Sequence, residues 1–197
     1  MGSEGLELLG VNVSFLLTNG PDEILEQLAD PLMIDEMKKV FFSDGANSLG
    51  HSYAKLMSGP GGRHDLQDVV ALLRTEPLTK RAVVNFSSEP GGKVPCISAV
   101  QFLVRTGAVH VMYFARGQDA YKKFYADGLC LAAMAERVAA AVGMQLGVAR
   151  GFIGSSHVYD SDMAAIRQTI ARSKHFKAEK PNERVKSAHT GRDKILR

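Results

Sequence analysis

The chain has 197 residues, 45% of them apolar, and carries a formal charge of +3 at pH 7. This length predicts a single domain with a sizeable core, and the sequence shows neither the ~20-residue apolar run of a membrane span nor a basic-then-apolar leader. Two cysteines, Cys96 and Cys130, are too few for a disulfide framework, so we expect free thiols in a cytoplasmic protein without a membrane partner.

The first half of the chain predicts one strand and two helices. Residues 8–17 alternate and are rich enough in β-branched side chains for a strand, and a short helix is expected near residues 23–29. Asp65 is placed to begin a longer helix with one apolar face, which ends at Pro77.

The second half predicts most of the sheet. Strands are expected at residues 81–87, 97–105, 108–115 and 145–159, with a tight turn at residues 106–107. An alanine-rich helix is predicted over residues 119–142 and ends at Gly143, and residues 160–162 are expected to cap a last helix to about Ser173. We interpret the pattern as an α+β layered fold with a mainly β core flanked by helices, in one domain of residues 1–173.

The positive charge is concentrated at the C-terminus. Residues 174–197 contain eight Lys or Arg and three Asp or Glu, so this basic tail carries +5 and the preceding chain −2. Few apolar residues interrupt it, which predicts a mobile or loosely docked segment. A nucleic-acid arm and a lid over an anionic substrate are the alternatives, although neither charge nor aromatic spacing supports a sequence-reading nucleic-acid domain.

Side chains capable of chemistry follow one another at fixed spacings after residue 95. Cys96 follows a proline at the start of a predicted strand, and Arg116 comes twenty residues later. Asp119 and Asp127 follow, and then His157 and Tyr159, which alternate on a strand and therefore face the same side. A nearby guanidinium is expected to lower the pKa of the Cys96 thiol and so favour the nucleophilic thiolate.

This order and spacing resemble the catalytic half of the thymidylate synthase family, whose members add a one-carbon unit to C5 of a pyrimidine nucleotide. The resemblance covers roughly residues 49–160 and needs no gap between Cys96 and Tyr159. Residues 49–53 are similar to the family's Leu-Gly-x-x-Tyr, and residues 80–84 to its Arg-Arg-aliphatic strand.

The resemblance implies a set of roles. Cys96 corresponds to the nucleophile, with Tyr53 and Asp127 as further catalytic residues. The implied nucleotide site consists of Lys80, Arg81, Gln101, Arg116, Gly117, Asp119, Asp127, His157 and Tyr159. The resemblance also implies 5,10-methylenetetrahydrofolate as cofactor and a homodimer in which Lys80 and Arg81 reach the partner's phosphate. The six histidines lack metal-ligand spacing, so no metal is expected.

The chain also departs from the family pattern. Ile97 follows the cysteine where the family usually has histidine, and Ala115 and Gly117 replace a glutamine and a phosphate-binding serine. No segment before Tyr53 resembles the family's Glu-Leu-Leu-Trp, and the chain has neither tryptophan nor the apolar C-terminal segment that closes over folate. Three glutamates are candidate replacements for the missing catalytic one: Glu23, Glu26 and Glu36.

Asp127 stands where the family has an asparagine that reads the base edge. The asparagine amide suits O4 and N3–H of uracil, whereas a carboxyl group with one proton can donate to N3 of cytosine and accept from its amino group. Family members that hydroxymethylate cytidine nucleotides carry this replacement. The alternative is a carboxylate that interacts only with a helix dipole.

Three functions therefore stay open. The first is a cytidylate (CMP or dCMP) 5-hydroxymethylase, and the second is a pyrimidine-nucleotide-binding paralogue without catalysis or without folate. The third, which Asp127 disfavours, is a thymidylate synthase acting on dUMP.

Overall fold

The computed structural model describes residues 5–18, 20, 22–58, 65–86 and 92–174. Its strands are β1 (Gly5–Leu16), β2 (Val83–Asn85), β3 (Ile97–Arg105), β4 (Ala108–Asp119) and β5 (Gln145–Tyr159). Its helices are α1 (Glu23–Leu28), α2 (Pro31–Phe42), α3 (Tyr53–Ser58), α4 (Leu66–Thr75), α5 (Phe124–Val142) and α6 (Met163–Ser173). The mixed α+β architecture, with a central sheet flanked by helices, is confirmed.

The five strands form one sheet in the order β1-β5-β4-β3-β2. β3 and β4 form an antiparallel hairpin whose turn residues, Thr106 and Gly107, have φ values of 51° and 77°. Positive φ at both turn positions matches the right-handed twist of the flanking strands. α5 then crosses over to β5, which runs parallel to β4, and β1 closes the far edge antiparallel to β5.

The two faces of the sheet differ in composition. Alternating residues of β3, β4 and β5 point to one face and are buried under α5, against which α2 and α4 pack. The opposite face, here called the open face, presents Phe114 and Phe152, which are 42% and 44% exposed and stack with ring centroids 5.9 Å apart. Strand periodicity of two residues produces this division.

Several predicted boundaries are wrong. α5 begins at Phe124, because β4 continues to Asp119 and a turn separates the two elements. Residues 160–162 form a 3-10 turn without a side-chain cap hydrogen bond, and Asp162 instead pairs with Lys122 at 2.7 Å. Two helices, α2 and α3, were not anticipated.

Other expectations differ less or fall outside the described residues. β1 begins at Gly5 and ends at Leu16, and β2 covers three residues of the longer strand expected there. The basic tail lies outside the described residues except for Lys174. Within the described ranges, the helices are too short or too polar to cross a membrane.

Candidate active site

The residues of the motif, from Cys96 to Tyr159, lie together at one end of the sheet, where β3 begins and β4 and β5 end. We call this region the cysteine end. The Arg116 N–H donates to the carbonyl oxygen of Cys96 at 2.9 Å, which fixes the start of β3 beside the end of β4. Asp119 on β4 lies opposite His157 on β5 in the parallel register. The topology thus brings together residues that are more than sixty positions apart in the sequence.

Cys96 is half-buried, and the pKa of its thiol is raised. Burial is the largest cause, and the charge of Arg116 opposes it. Arg116 lowers the pKa of Cys96 as expected, but desolvation of the thiol outweighs the guanidinium, so the pKa is raised on balance. Cys130 is buried within α5, and burial raises its pKa to about 12, which fits a structural thiol.

Arg116 holds the segment that leads into Cys96. Its Nε donates to the carbonyl of Pro95 at 3.0 Å and its Nη2 to the carbonyl of Val94 at 2.8 Å. Nη1 has no partner among the described residues, and the side chain lies at the surface. A planar guanidinium in this position can brace the cysteine and still offer N–H donors to an anion.

Tyr53, on α3, contacts Ile97, the residue after Cys96. Its hydroxyl oxygen accepts a hydrogen bond from the Ile97 N–H at 3.0 Å. The ring packs against Phe41 and Phe86 with centroids 4.3 and 4.7 Å away, and burial raises the pKa of the phenol. Tyr53 therefore keeps its proton at neutral pH, and a phenol that accepts one hydrogen bond can still donate another.

Asp127 lies in the first turn of α5 and is buried. Its Oδ2 accepts a hydrogen bond from Nε2 of Gln118, itself buried on β4, at 2.6 Å. Burial raises the pKa of Asp127 to about 7, against the lowering effect of this hydrogen bond. The carboxyl can thus carry or release a proton near neutral pH, as acid-base catalysis requires.

The other carboxylate, Asp119, has a structural task in this conformation. Its Oδ1 accepts from the N–H groups of Tyr121 and Lys122 at 3.1 and 2.8 Å, which closes the turn between β4 and α5. A role for Asp119 as the first cap of the long helix is excluded, because that helix begins five residues later.

His157 and Tyr159 share one side of β5, with ring centroids 5.2 Å apart. The predicted same-side arrangement is therefore observed. A Cβ added to Gly117 would meet the His157 ring at 3.9 Å, an ordinary contact. A residue with a Cβ atom would therefore fit at position 117 without a steric clash.

Three predicted site residues lie away from the cysteine end. Gln101 alternates with buried Val100 and Phe102, so it belongs to the open face, five residues or roughly 16 Å along β3 from Cys96. Its Nε2 donates to the carbonyl of Lys80 at 2.7 Å, and the exposed Arg81 pairs with Glu76 at 2.7 Å. One subunit alone does not bring these residues to Cys96.

The three candidate glutamates are not among the charged groups that act on the pKa of Cys96. Glu23 and Glu26 are exposed on α1, and Glu36 accepts a hydrogen bond from the Ser48 N–H at 2.6 Å, which lowers its pKa. The charged groups that act on Cys96 are Arg116, Asp127, Lys123 and Asp119.

Sequence reasoning missed two polar residues here. Gln118 lies inside the Arg116–Asp119 motif, and Lys123, four residues before Asp127, lowers the pKa of both Asp127 and Cys96. The sequence pointed to each of these two residues only by its short distance from the residues of the motif.

The chain is similar in sequence to one known family. The model of the family described as Thymidylate synthase matches residues 33–191. A "Putative thymidylate synthase" of Methanothermobacter thermautotrophicus is 23% identical over 141 residues, 70% of this chain and 64% of that protein. One of the same description from Methanocaldococcus jannaschii is 31% identical over 86 residues, 43% and 39% of the two chains. A "Thymidylate synthase" of Listeria monocytogenes is 22% identical over 156 residues, 77% and 50%. The matches thus span about two fifths to two thirds of these relatives' lengths.

Proposed function

The chain belongs to the thymidylate synthase family, and on that premise we propose that it transfers a one-carbon unit to C5 of a pyrimidine nucleotide, as a cytidylate (CMP or dCMP) 5-hydroxymethylase. The observation that carries the choice of base is Asp127. This carboxyl is buried, and its pKa is raised to about 7. A carboxyl group that holds a proton at neutral pH complements N3 of cytosine, which is an acceptor, and opposes N3–H of uracil.

Cys96 is the proposed nucleophile. Its thiolate adds to C6, so an S–C bond forms and the C5–C6 π electrons shift toward C4 and N3. N3 takes a proton from Asp127, and the ring becomes an enamine that is nucleophilic at C5. If a donor placed its carbon on C5, the C5 proton would pass to a base and the donor's amine would leave. Water would then add to the exocyclic methylene, and expulsion of the Cys96 thiolate, with the N3 proton returned to Asp127, would restore the C5–C6 double bond.

The remaining residues of the cysteine end serve the nucleotide in this proposal. Nη1 of Arg116 is available to the phosphate, and His157 and Tyr159 face one side together, as two hydrogen bonds to a sugar hydroxyl require. Tyr53 holds the Ile97 N–H and so supports the position of Cys96. Asp119 contributes by closing the turn that leads to Asp127.

The family's one-carbon donor is generally 5,10-methylenetetrahydrofolate, which supplies the carbon as an electrophile. The described residues fit it poorly. The carboxylate of Glu36 is engaged by Ser48, and Glu23 and Glu26 are exposed on α1. We therefore assign the residues at the cysteine end to nucleotide activation, and the donor rests on family membership alone.

We further propose a homodimer that covers the open face. Phe114 and Phe152 are exposed, stacked aromatic side chains, and a second copy of the chain would remove them from water. In an isologous dimer, Lys80 and Arg81 of each subunit would reach the phosphate in the other. Exposed Arg81 is held only by Glu76 among the described residues, so its charge can be redirected.

A nucleotide-binding paralogue without one-carbon chemistry is the second candidate. The raised pKa of Cys96 and the engaged Glu36 favour it. A dUMP-directed thymidylate synthase is the third, and its support is the description of the relatives from Listeria.

The test is a thermal-shift panel of CMP, dCMP, UMP and dUMP with wild type and Asp127→Asn, with and without methylenetetrahydrofolate. Saturation at ~100 times Kd stabilises the native state by about 2.7 kcal/mol. We expect wild type to respond to cytidine nucleotides and Asp127→Asn to shift toward uridine nucleotides by roughly 1–3 kcal/mol. An unchanged preference in the variant contradicts Asp127 as the base reader. Formation of 5-hydroxymethyl product from CMP or dCMP, followed by mass, separates the enzyme from the paralogue.

A further inference from the structure

Gln118 and Asp127 form a buried polar pair whose hydrogen bonds are incomplete. The two residues are 2% and 4% exposed, and Nε2 of Gln118 donates to Oδ2 of Asp127 at 2.6 Å. Oε1 of Gln118 and Oδ1 of Asp127 are both buried and without a hydrogen-bond partner among the described residues. A buried polar atom without a partner destabilises the folded state, so two such atoms in contacting side chains indicate a ligand that satisfies both.

The pair joins the two elements that shape the cysteine end. Gln118 lies near the end of β4, two residues after Arg116, and Asp127 lies in the first turn of α5. Asp127 also influences the pKa of both Cys96 and Tyr53 by its charge, which places the pair within electrostatic range of the nucleophile. The unsatisfied atoms therefore belong to the proposed nucleotide site.

A cytosine edge needs two partners, and two buried oxygen atoms are present at this site. That edge offers an acceptor at N3 and a donor at the exocyclic amino group. Oδ2 of Asp127 already accepts from Gln118, whereas Oδ1 has no partner among the described residues and can serve N3. Oε1 of Gln118 is a second buried, unpartnered acceptor, on the side chain that contacts Asp127, and can serve the amino group.

We propose that Gln118 is a specificity-determining residue, whose Oε1 accepts a hydrogen bond from the exocyclic amino group of a cytosine while Oδ1 of Asp127 serves the ring nitrogen beside it. The inference rests on the proposed function and adds a second reader to it. Uracil places a carbonyl oxygen where the amino group would be, so Oε1 would face another acceptor and the pair would reject it.

The role of Gln118 depends on which end of its amide group faces Asp127. If the Gln118 amide were turned around, Oε1 would accept a hydrogen bond from the protonated Asp127 carboxyl, and Nε2 would donate outward to O4 of uracil. The observed orientation has Nε2 facing Asp127. In the observed orientation, removal of the amide should weaken binding of the cytosine nucleotide, and in the reversed orientation it should weaken binding of the uracil nucleotide. The preference between CMP and UMP therefore distinguishes the two orientations.

The experiment measures Kd by calorimetry at pH 7 for CMP, UMP and the 2-pyrimidinone nucleotide, which lacks the amino group. Wild type is compared with Gln118→Met, which removes the amide at similar length, and with Gln118→Asn, which withdraws it. Gln145→Met, at the exposed start of β5 and the opposite end of the sheet, is the matched control.

We expect Gln118→Met to weaken CMP binding about 10-fold, the size of one lost hydrogen bond at a buried site, and to change pyrimidinone binding less than twofold. Gln118→Asn should show a smaller loss in the same direction, and it supplies the comparison if Gln118→Met does not fold.

Equal weakening of CMP and the pyrimidinone nucleotide would mean that Gln118 acts only by positioning Asp127, and a loss confined to UMP would mean the reversed amide. Either result overturns the role of Gln118 while the preference of wild type for CMP keeps the proposed function intact. A wild type that does not prefer CMP to UMP overturns the proposed function as well, and a wild type that prefers CMP to UMP but not to the pyrimidinone nucleotide overturns the role of Gln118 alone.

Discussion

The cysteine end and the open face divide the candidate residues of this chain between two kinds of surface. At the cysteine end, buried polar atoms of Gln118 and Asp127 lack partners within the described residues, and a half-buried thiol lies beside an arginine. On the open face the aromatic rings of Phe114 and Phe152 are exposed, and nearby polar groups are satisfied by local carbonyls or carboxylates.

The difference indicates what each surface lacks. Unsatisfied buried hydrogen-bonding atoms are completed by a small polar ligand, whereas exposed apolar rings are completed by another apolar surface. We therefore propose a nucleotide as the ligand of the cysteine end and a second copy of the chain as the partner of the open face. The predictions below test whether the two regions act separately or as parts of one shared site.

The largest expected effect is that of changing Cys96, the proposed nucleophile. Cys96→Ser should reduce turnover by on the order of 10³-fold or more and abolish covalent trapping by a 5-fluorinated pyrimidine nucleotide, because a hydroxyl is a far weaker nucleophile than a thiolate. Single-turnover assays and intact-protein mass measure the two effects. Cys130→Ser is the control and should retain both, since Cys130 is buried in α5. An adduct that persists in Cys96→Ser contradicts the mechanism.

The second prediction tests whether the regions cooperate across a dimer. Arg81→Ala and Cys96→Ser are each expected to be inactive. If sites are shared, a mixed dimer has one site with both defects and one intact site, so random exchange should restore activity toward about a quarter of wild type. Native mass spectrometry checks the exchange. Confirmed exchange with no recovered activity would assign Arg81 to its own subunit.

The residues of the cysteine end could be predicted from the sequence because they lie on strands, and strands are recognised from short stretches of sequence. The start of β3, the end of β5 and the alternation of His157 and Tyr159 follow from strand periodicity and turn residues, and the structure has them as expected. The turn at Thr106 and Gly107 was equally readable, since its chemistry lies in two residues.

Other features depend on contacts between distant elements. Helix propensity alone extended α5 back to Asp119, but pairing of Asp119 with His157 keeps that segment in β4. Burial determines the pKa of Cys96, and the sequence showed only the arginine that opposes it. The partnership of Gln118 with Asp127 arises from packing of α5 on the sheet, which no spacing rule reports.

The third prediction concerns the stability cost of the buried carboxyl. The pKa of Asp127 is raised to about 7 from an ordinary value of 3.8, so the native state binds the proton more tightly than the unfolded state. Its contribution is fully present below about pH 4 and is lost as pH rises to about 7. Asp127→Asn should therefore increase the free energy of unfolding by on the order of 3–4 kcal/mol at pH 8 and by little at pH 4.

Urea denaturation at several pH values measures this difference, with Asp119→Asn as the control. Asp119→Asn keeps an Oδ1 acceptor for the N–H groups of Tyr121 and Lys122, so the turn between β4 and α5 and the free energy of unfolding should stay close to wild type. A pH-independent difference between wild type and Asp127→Asn would show that the carboxyl titrates normally. A gain in stability together with lost base discrimination would identify Asp127 as a residue kept for function.

The smallest expected effect concerns the contact that supports the nucleophile. Tyr53→Phe removes the acceptor of the Ile97 N–H while the ring can keep its packing against Phe41 and Phe86. A buried N–H left without a partner costs roughly 1–3 kcal/mol, so thermal unfolding should occur at a lower temperature. Tyr113→Phe is the matched control on β4, since its hydroxyl accepts no backbone N–H among the described residues.

Because the Ile97 N–H adjoins Cys96, Tyr53→Phe should also slow adduct formation more than Tyr113→Phe does. Equal effects of the two variants on stability and adduct formation would assign Tyr53 to the core alone.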